Sequence, residues 1–132
     1  MLYLQSKQFQ KFERLSAKRS VAFLFEQGQS FINHPLKVVW MIVEEPQFPV
    51  TVLFSVPKKN FPVSPHRNRI KRLLREAYRL NKSSSVITAS QKNINIQVAF
   101  IYLGKEMPTL EVIEQKILLS LKKIQHELET RA

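Results

Sequence analysis

The sequence predicts a single α+β domain, an α/β sandwich in which a mostly antiparallel sheet of about four strands packs with three helices in the order α-β-β-β-α-β-α. Three observations lead there. A chain of 132 residues suits one domain with a modest core. Apolar runs at 36–44 (LKVVWMIVE), 50–56 (VTVLFSV) and 95–104 (NIQVAFIYLG) are rich in β-branched and aromatic residues and have the length of strands. Two longer segments, 64–81 and 110–128, repeat their apolar residues at three and four, the period of an amphipathic helix. No internal repeat and no second domain is visible.

Composition narrows the class of function. Lys and Arg number 21 against 10 acids, a net charge of +11, which points to a polyanionic partner ahead of an acidic membrane surface. No cysteine is present, so a disulfide framework and thiolate metal sites are excluded, as suits a reducing compartment. No run of about 20 apolar residues exists and the N-terminus lacks a signal-peptide core. The expectation is a soluble, cytoplasmic protein without a membrane partner.

In chain order, residues 1–15 read as an extended lead-in pinned by Phe9, Phe12 or Leu15. Ser16 is placed to cap a short helix, AKRSVAFLFEQ, which Gly28 is expected to end in the left-handed conformation. QSFIN (29–33) has the length of a short strand. In the strand 36–44, Leu36, Val38, Trp40 and Ile42 face one way and Lys37, Val39, Met41 and Val43 the other, so both faces are partly covered. Two prolines in the turn 44–49 stop that strand, and the strand 50–56 is expected to return antiparallel beside it. Pro57 ends it, and Lys58 and Lys59 lead into a proline-stiffened loop.

Ser64 then offers an N-cap and Pro65 a first helical residue for a helix over 64–81, SPHRNRIKRLLREAYRLN. At about 100° per residue, Ile70, Leu73, Leu74, Ala77 and Leu80 gather on one side. Arg67, Lys71, Arg72, Arg75 and Arg79 gather on the other, with Asn68 among them and Arg69 and Glu76 flanking. Between Lys58 and Lys82 stand nine basic residues and one acid. Cations at a helix N-terminus are unfavourable by ~0.3–1 kcal/mol each, so fold stability gives no reason for them, whereas a phosphate partner does. The Ser-rich stretch 82–95 lacks periodicity and reads as a mobile polar loop. After the strand 95–104, Thr109 caps a last helix with Leu110, Ile113, Ile117, Leu121, Ile124 and Leu128 along one stripe.

FSVPKK (54–59), a short loop and RNRIKRLLREAYR (67–79) together resemble the signature of the protein subunit of bacterial ribonuclease P. The resemblance implies that fold, with an uncommon left-handed β-α-β crossover. It implies an accessory role in an endoribonuclease whose RNA subunit hydrolyses precursor tRNA, using Mg²⁺, to free the mature 5′ end. Carried over by residue, Lys58, Lys59, Arg67, Asn68, Arg69, Lys71, Arg72, Arg75 and Arg79 would contact the catalytic RNA. A cleft for the single-stranded 5′ leader would be walled by Val21, Phe25, Lys37 and Val39. The first and last of these are not aromatic, a departure from the family pattern at the place where a base would stack. The protein is expected to be monomeric within the holoenzyme.

The residues themselves offer little chemistry for acting alone. There is no Asp, the glutamates do not recur in a spacing that suggests a paired site, and His34, His66 and His126 are far apart. Two other readings stand beside the leading one: a ribosomal-type RNA-binding protein with a generic basic helix, and a nuclease using His66 with a lysine.

Overall fold

The computed structural model of the chain describes residues 8–9, 11–44 and 49–130. A 3-10 turn, Lys11–Glu13, precedes α1 (Lys18–Gln27), β1 (Gln29–Asn33), β2 (Leu36–Val43), β3 (Val50–Ser55), α2 (Ser64–Asn81), α3 (Ser83–Gln91), β4 (Asn95–Tyr102) and α4 (Leu110–Thr130). The α+β class holds, with four α-helices among the described residues rather than three.

The sheet runs β1-β2-β4-β3, with β4 antiparallel to β2 and parallel to β3. The expected β2–β3 hairpin is therefore corrected: β4 lies between these strands. Its sequence explains the placement. Ile96, Gln97, Val98, Ala99 and Phe100 are all buried, and a run apolar on both faces belongs at the centre of a sheet covered on both sides. The parallel pairing makes β3-α2-α3-β4 a crossover, and it sets the ends of β3 and β4 side by side, with Ser55 opposite Ile101.

One face of the sheet carries the main core. Leu36, Val38 and Trp40 of β2, Val50 and Val52 of β3, and Val98 and Phe100 of β4 pack against Ile70, Leu74, Ala77 and Tyr78 of α2. Ile113, Ile117, Leu121, Ile124 and Leu128 of α4 complete the layer. On the other face α1 and the lead-in cover only a small cluster, Leu15, Leu24, Val39 and Ala99, with Val21, Met41, Leu53 and Ile101 at its edge. The alternation expected for β2 holds on both faces. Of the three anchors named for the lead-in, Leu15 is buried and donates its N–H to the Val52 carbonyl (2.9 Å). Phe9 packs on Phe54 and Tyr78. Residues 1–7 and the Phe12 side chain lie outside the described residues.

Three local expectations are corrected. Both early helices start without a side-chain cap: Ala17 and Val63 hold the N-cap positions, and Ser64 is the first residue of α2. Gly28 has φ −71°, not a left-handed angle. It is needed for close approach, because a Cβ there would lie 2.6 Å from the Leu24 carbonyl oxygen and 3.0 Å from Val39 Cγ1.

The polar stretch 82–95 holds a helix, α3. Lys82, Ser85, Val86 and Ala89 are buried at helical spacing, but two of these four are polar, which hides the stripe from a hydropathy reading. Asn93 ends the helix at φ 55°, with the Asn93 N–H on the Ser90 carbonyl (3.1 Å) and the Ile94 N–H on the Ala89 carbonyl (3.0 Å). That is a Schellman stop built on Asn, which tolerates the left-handed region.

A buried ion pair ties the lead-in to the α2–α3 junction. Lys82 Nζ donates to both carboxylate oxygens of Glu13, at 2.7 and 2.9 Å, and to the Gln8 carbonyl. Both side chains are almost wholly excluded from solvent. Removing one partner of such a pair costs about 3–5 kcal/mol, because the other charge stays buried. Glu13→Ala should therefore lose that much stability in urea unfolding. Glu13→Leu combined with Lys82→Met should recover most of it.

Candidate nucleic-acid interface

The basic helix α2 lies on the main-core face with Ile70, Leu74, Ala77 and Tyr78 inward, so its outward crest is fixed by the same periodicity. Asn68, Arg69 and Arg72 stand exposed along it, with no acidic partner among the described residues. Arg67, Lys71 and Arg75 form half-buried shoulders. Lys58 and Lys59 are exposed on the turn before the helix.

Three cations of this stretch, Arg67, Arg79 and Lys82, are already engaged. Arg67 Nη1 donates to the carbonyls of Phe61 and Pro62 at 2.8 and 2.9 Å, so it fastens the loop 57–63 to the helix it precedes. Arg79 makes a two-pronged pair with Glu76, Nε to Oε2 at 3.0 Å and Nη2 to Oε1 at 2.5 Å. That hydrogen bond holds the Glu76 carboxyl below its ordinary range and raises Arg79. Lys82, counted among the nine basic residues by sequence, is internal.

Arg75 shows what the crowding does. Burial, and then the like charges of Arg14 and Arg72, lower its affinity for a proton relative to an ordinary guanidinium. Its Nε is buried without a hydrogen-bond partner among the described residues. Cations that press on one another are relieved when phosphates come between them. The first turn of α2 adds few donors of its own: Pro65 has no N–H, and the His66 N–H donates to the Val63 carbonyl (3.1 Å).

Two cations join this surface that periodicity alone did not single out. Arg14 bridges to Val52 on the outer edge of β3 and faces Arg75. Lys105 is exposed beside Lys59, around a depression that Pro57, Asn60 and Leu103 also line. Asn60 Nδ2 donates to the Leu103 carbonyl (3.3 Å), fixing the two turns together. Only the parallel pairing of β3 and β4 brings these turns into contact, so no local signal could have found Lys105.

The second predicted group is divided. Val21 and Val39 lie between α1 and the sheet, Lys37 is half-buried on β2, and Phe25 is exposed on α1. Val39 is only 4% exposed and sits with Leu24 in the small cluster, and Val21 borders that cluster. Both valines are thus occupied as core, leaving Phe25 and half-buried Lys37 open to a ligand. Phe23 is the more exposed aromatic of α1, at 52%.

Among the described residues no three His, Cys, Asp or Glu side chains are grouped to hold a metal ion, and a cationic crest repels one. The site does not fit Mg²⁺ on protein side chains. His66 is exposed in the first turn of α2. No described helix is long and apolar enough to cross a membrane.

Fold and site together define a basic α+β protein that presents a cationic helix face to solvent. The comparisons make the class specific. A family model described as Ribonuclease P matches residues 9–125. The ribonuclease P protein component of Porphyromonas gingivalis is 36% identical over 115 residues, covering 86% of this chain and 84% of the relative. That of Chlorobium phaeobacteroides is 36% identical over 119 residues, covering 81% of each. Among solved structures, the Staphylococcus aureus RNase P protein aligns with a TM-score of 0.68 at 23% identity over 86% of this chain and 95% of its own. The Thermotoga maritima RNase P protein gives 0.64 at 22%, over 83% and 96%. The chain belongs to the ribonuclease P protein family.

If phosphates are neutralised at the crest of α2, the salt dependence of RNA binding reports it. Each phosphate contact contributes roughly 0.7–0.9 to the slope of log affinity against log salt. Arg69→Ala and Arg72→Ala should each flatten that slope by about this amount in filter-retention titrations. The buried double replacement Glu13→Leu/Lys82→Met should leave it unchanged.

Proposed function

We propose that this chain is the accessory subunit of a ribonuclease P whose RNA subunit carries the catalytic groups, and that it docks that RNA on α2 and holds the 5′ leader of precursor tRNA beside α1. The family assignment makes it a ribonuclease P protein component, a subunit that serves tRNA 5′ processing. The observation that carries the finer reading is the crest of α2, where Asn68, Arg69 and Arg72 are exposed beside Arg75 with no acidic partner among the described residues.

The division of labour follows from the chemistry present. A hydrolase acting on phosphodiesters needs a base, an acid or a metal at the reacting phosphate. This surface offers cations, amide hydrogen-bonding groups and one exposed imidazole. It can hold RNA, orient it and lower the repulsion between two RNA backbones. Arg69 and Arg72 can each fork across phosphate oxygens, and Asn68 can hydrogen-bond one RNA group in a fixed orientation. Mg²⁺ would then be held by the RNA. Cations supplied at the junction of two RNAs reduce the Mg²⁺ concentration needed to bring them together.

Lys58, Lys59, Lys71 and Arg75 extend the docking surface on this reading, and Arg67 supports it by holding the loop before α2. Lys105 joins through the β3–β4 juxtaposition. Arg79, paired with Glu76, would have to exchange that partner to contact RNA. The protein acts as a monomer within the holoenzyme, in the cytoplasm.

Cleavage of a precursor tRNA at low Mg²⁺ by protein, RNA subunit and their mixture tests the reading. Release of a mature 5′ end only by the mixture is expected. Cleavage by the protein alone, abolished by His66→Ala, would replace it with a protein nuclease.

A further inference from the structure

The cationic strip of α2 has a sharp end. Up to Arg75 its cations have no acidic partner among the described residues. Among residues 76–82 every charge is matched, Arg79 by Glu76 and Lys82 by Glu13. At the last residue of the helix, Asn81 Nδ2 donates to Oε1 of Glu114 on α4 at 3.4 Å, which brings a second carboxylate to that end.

Glu76 is the one acid among nine bases between Lys58 and Lys82, and the fold has little use for it. Its carboxylate is half-exposed and accepts only from Arg79 among the described residues. An exposed pair three residues apart adds little to a helix. The helix dipole favours acids in the first turn rather than so far along it, and Gln would serve the helix as well as Glu. The position matters to a ligand instead. Glu76 stands four residues after Arg72 and seven after Arg69, so it continues the crest by one turn, about 6 Å along the axis. The hydrogen bond from Arg79 holds its carboxyl below the ordinary range, so it stays charged. An RNA backbone that runs along α2 past Arg75 meets this charge and finds Arg79 occupied.

We propose that Glu76 determines which RNA docks on α2: it ends the footprint after Arg75 and favours an RNA whose phosphates stop there over one whose backbone runs on along the helix. The proposal rests on α2 being the docking face and gives that face a boundary. A bare cationic helix binds any polyanion, because the phosphate term is independent of sequence. Discrimination needs an element that repels the wrong partner as well as contacts that hold the right one. One carboxylate at the end of the strip weakens the registers that overrun it. The register centred on Asn68, Arg69 and Arg72 is left as it is.

Filter retention of the full chain with two probes, the RNA subunit and polyuridylate, is the test. Glu76→Gln should tighten polyuridylate binding by about three- to five-fold, the size of one exposed charge interaction. It should also steepen the salt dependence by roughly 0.7, one added contact on a single strand. Affinity for the RNA subunit should change by less than about two-fold, so discrimination falls. Arg79→Gln in the Glu76→Gln background should cancel the gain on polyuridylate, because the released guanidinium is its source. Both positions are at the surface, and an unchanged circular dichroism spectrum would verify the fold. An equal gain on both probes would overturn the proposal, since the RNA subunit would then run over Glu76 as well. No change on either probe would overturn it too, by showing that RNA does not reach this end of α2. The functional reading fails separately, if wild-type protein holds the RNA subunit no more tightly than polyuridylate. A wild type that discriminates, beside a Glu76→Gln variant that discriminates equally well, removes only the role of Glu76.

Discussion

What α2 can present to a partner is set by the parallel pairing of β3 with β4. Two parallel neighbours cannot be joined by a tight turn, so the chain must cross over the sheet, and α2 and α3 are that crossing. The helix is anchored by Ile70, Leu74, Ala77 and Tyr78 against the sheet and against α4. Its rotation about its own axis follows from those four residues, and Asn68, Arg69 and Arg72 are left as the crest. The same pairing places the Lys58–Lys59 turn beside Lys105. A hairpin between β2 and β3 would have supplied the same helix without that second turn alongside.

The fold tolerates this concentration of charge by sorting it. Lys82 is taken inside and neutralised by Glu13, Arg79 is matched with Glu76, and Arg67 spends one nitrogen on loop carbonyls. The others face water or one another. Self-repulsion of this kind lowers stability in the free protein and is recovered when a polyanion binds, so the stability of the subunit and its affinity for RNA are linked through the same side chains. The buried pair acts differently. Its partners lie 69 residues apart in sequence, and it closes the lead-in over the open side of Tyr78 and Phe54, which Phe9 also covers.

Much of this was legible in the sequence. The amphipathic stripes of α2 and α4, the two-faced strands β2 and β3 and the cationic helix face depend on periodicity, which is local. The failures were of two kinds. Strand order is non-local: the turn before β3 reads equally well for a hairpin and for a strand that waits for β4. The other kind is concealment by polar residues. α3 buries Lys82 and Ser85 where a stripe would be sought in Leu or Ile, and its stop signal is Asn93 rather than a glycine. At the candidate site, residue type identified the α2 cations, whereas the fates of Val21, Val39 and Lys82 depend on what packs over them. Lys105 and Arg14 became visible only through tertiary adjacency.

Lysine-acylation footprinting of the free protein and of the protein with its RNA subunit tests most directly whether the α2 surface is the docking face. Lys58, Lys59 and Lys71 should lose reactivity on addition of the RNA, while Lys92 and Lys122, exposed on α3's exit and on α4, should keep theirs. Shielding of Lys92 and Lys122 with Lys58, Lys59 and Lys71 still reactive would contradict the account and put the RNA on the opposite side of the helical layer.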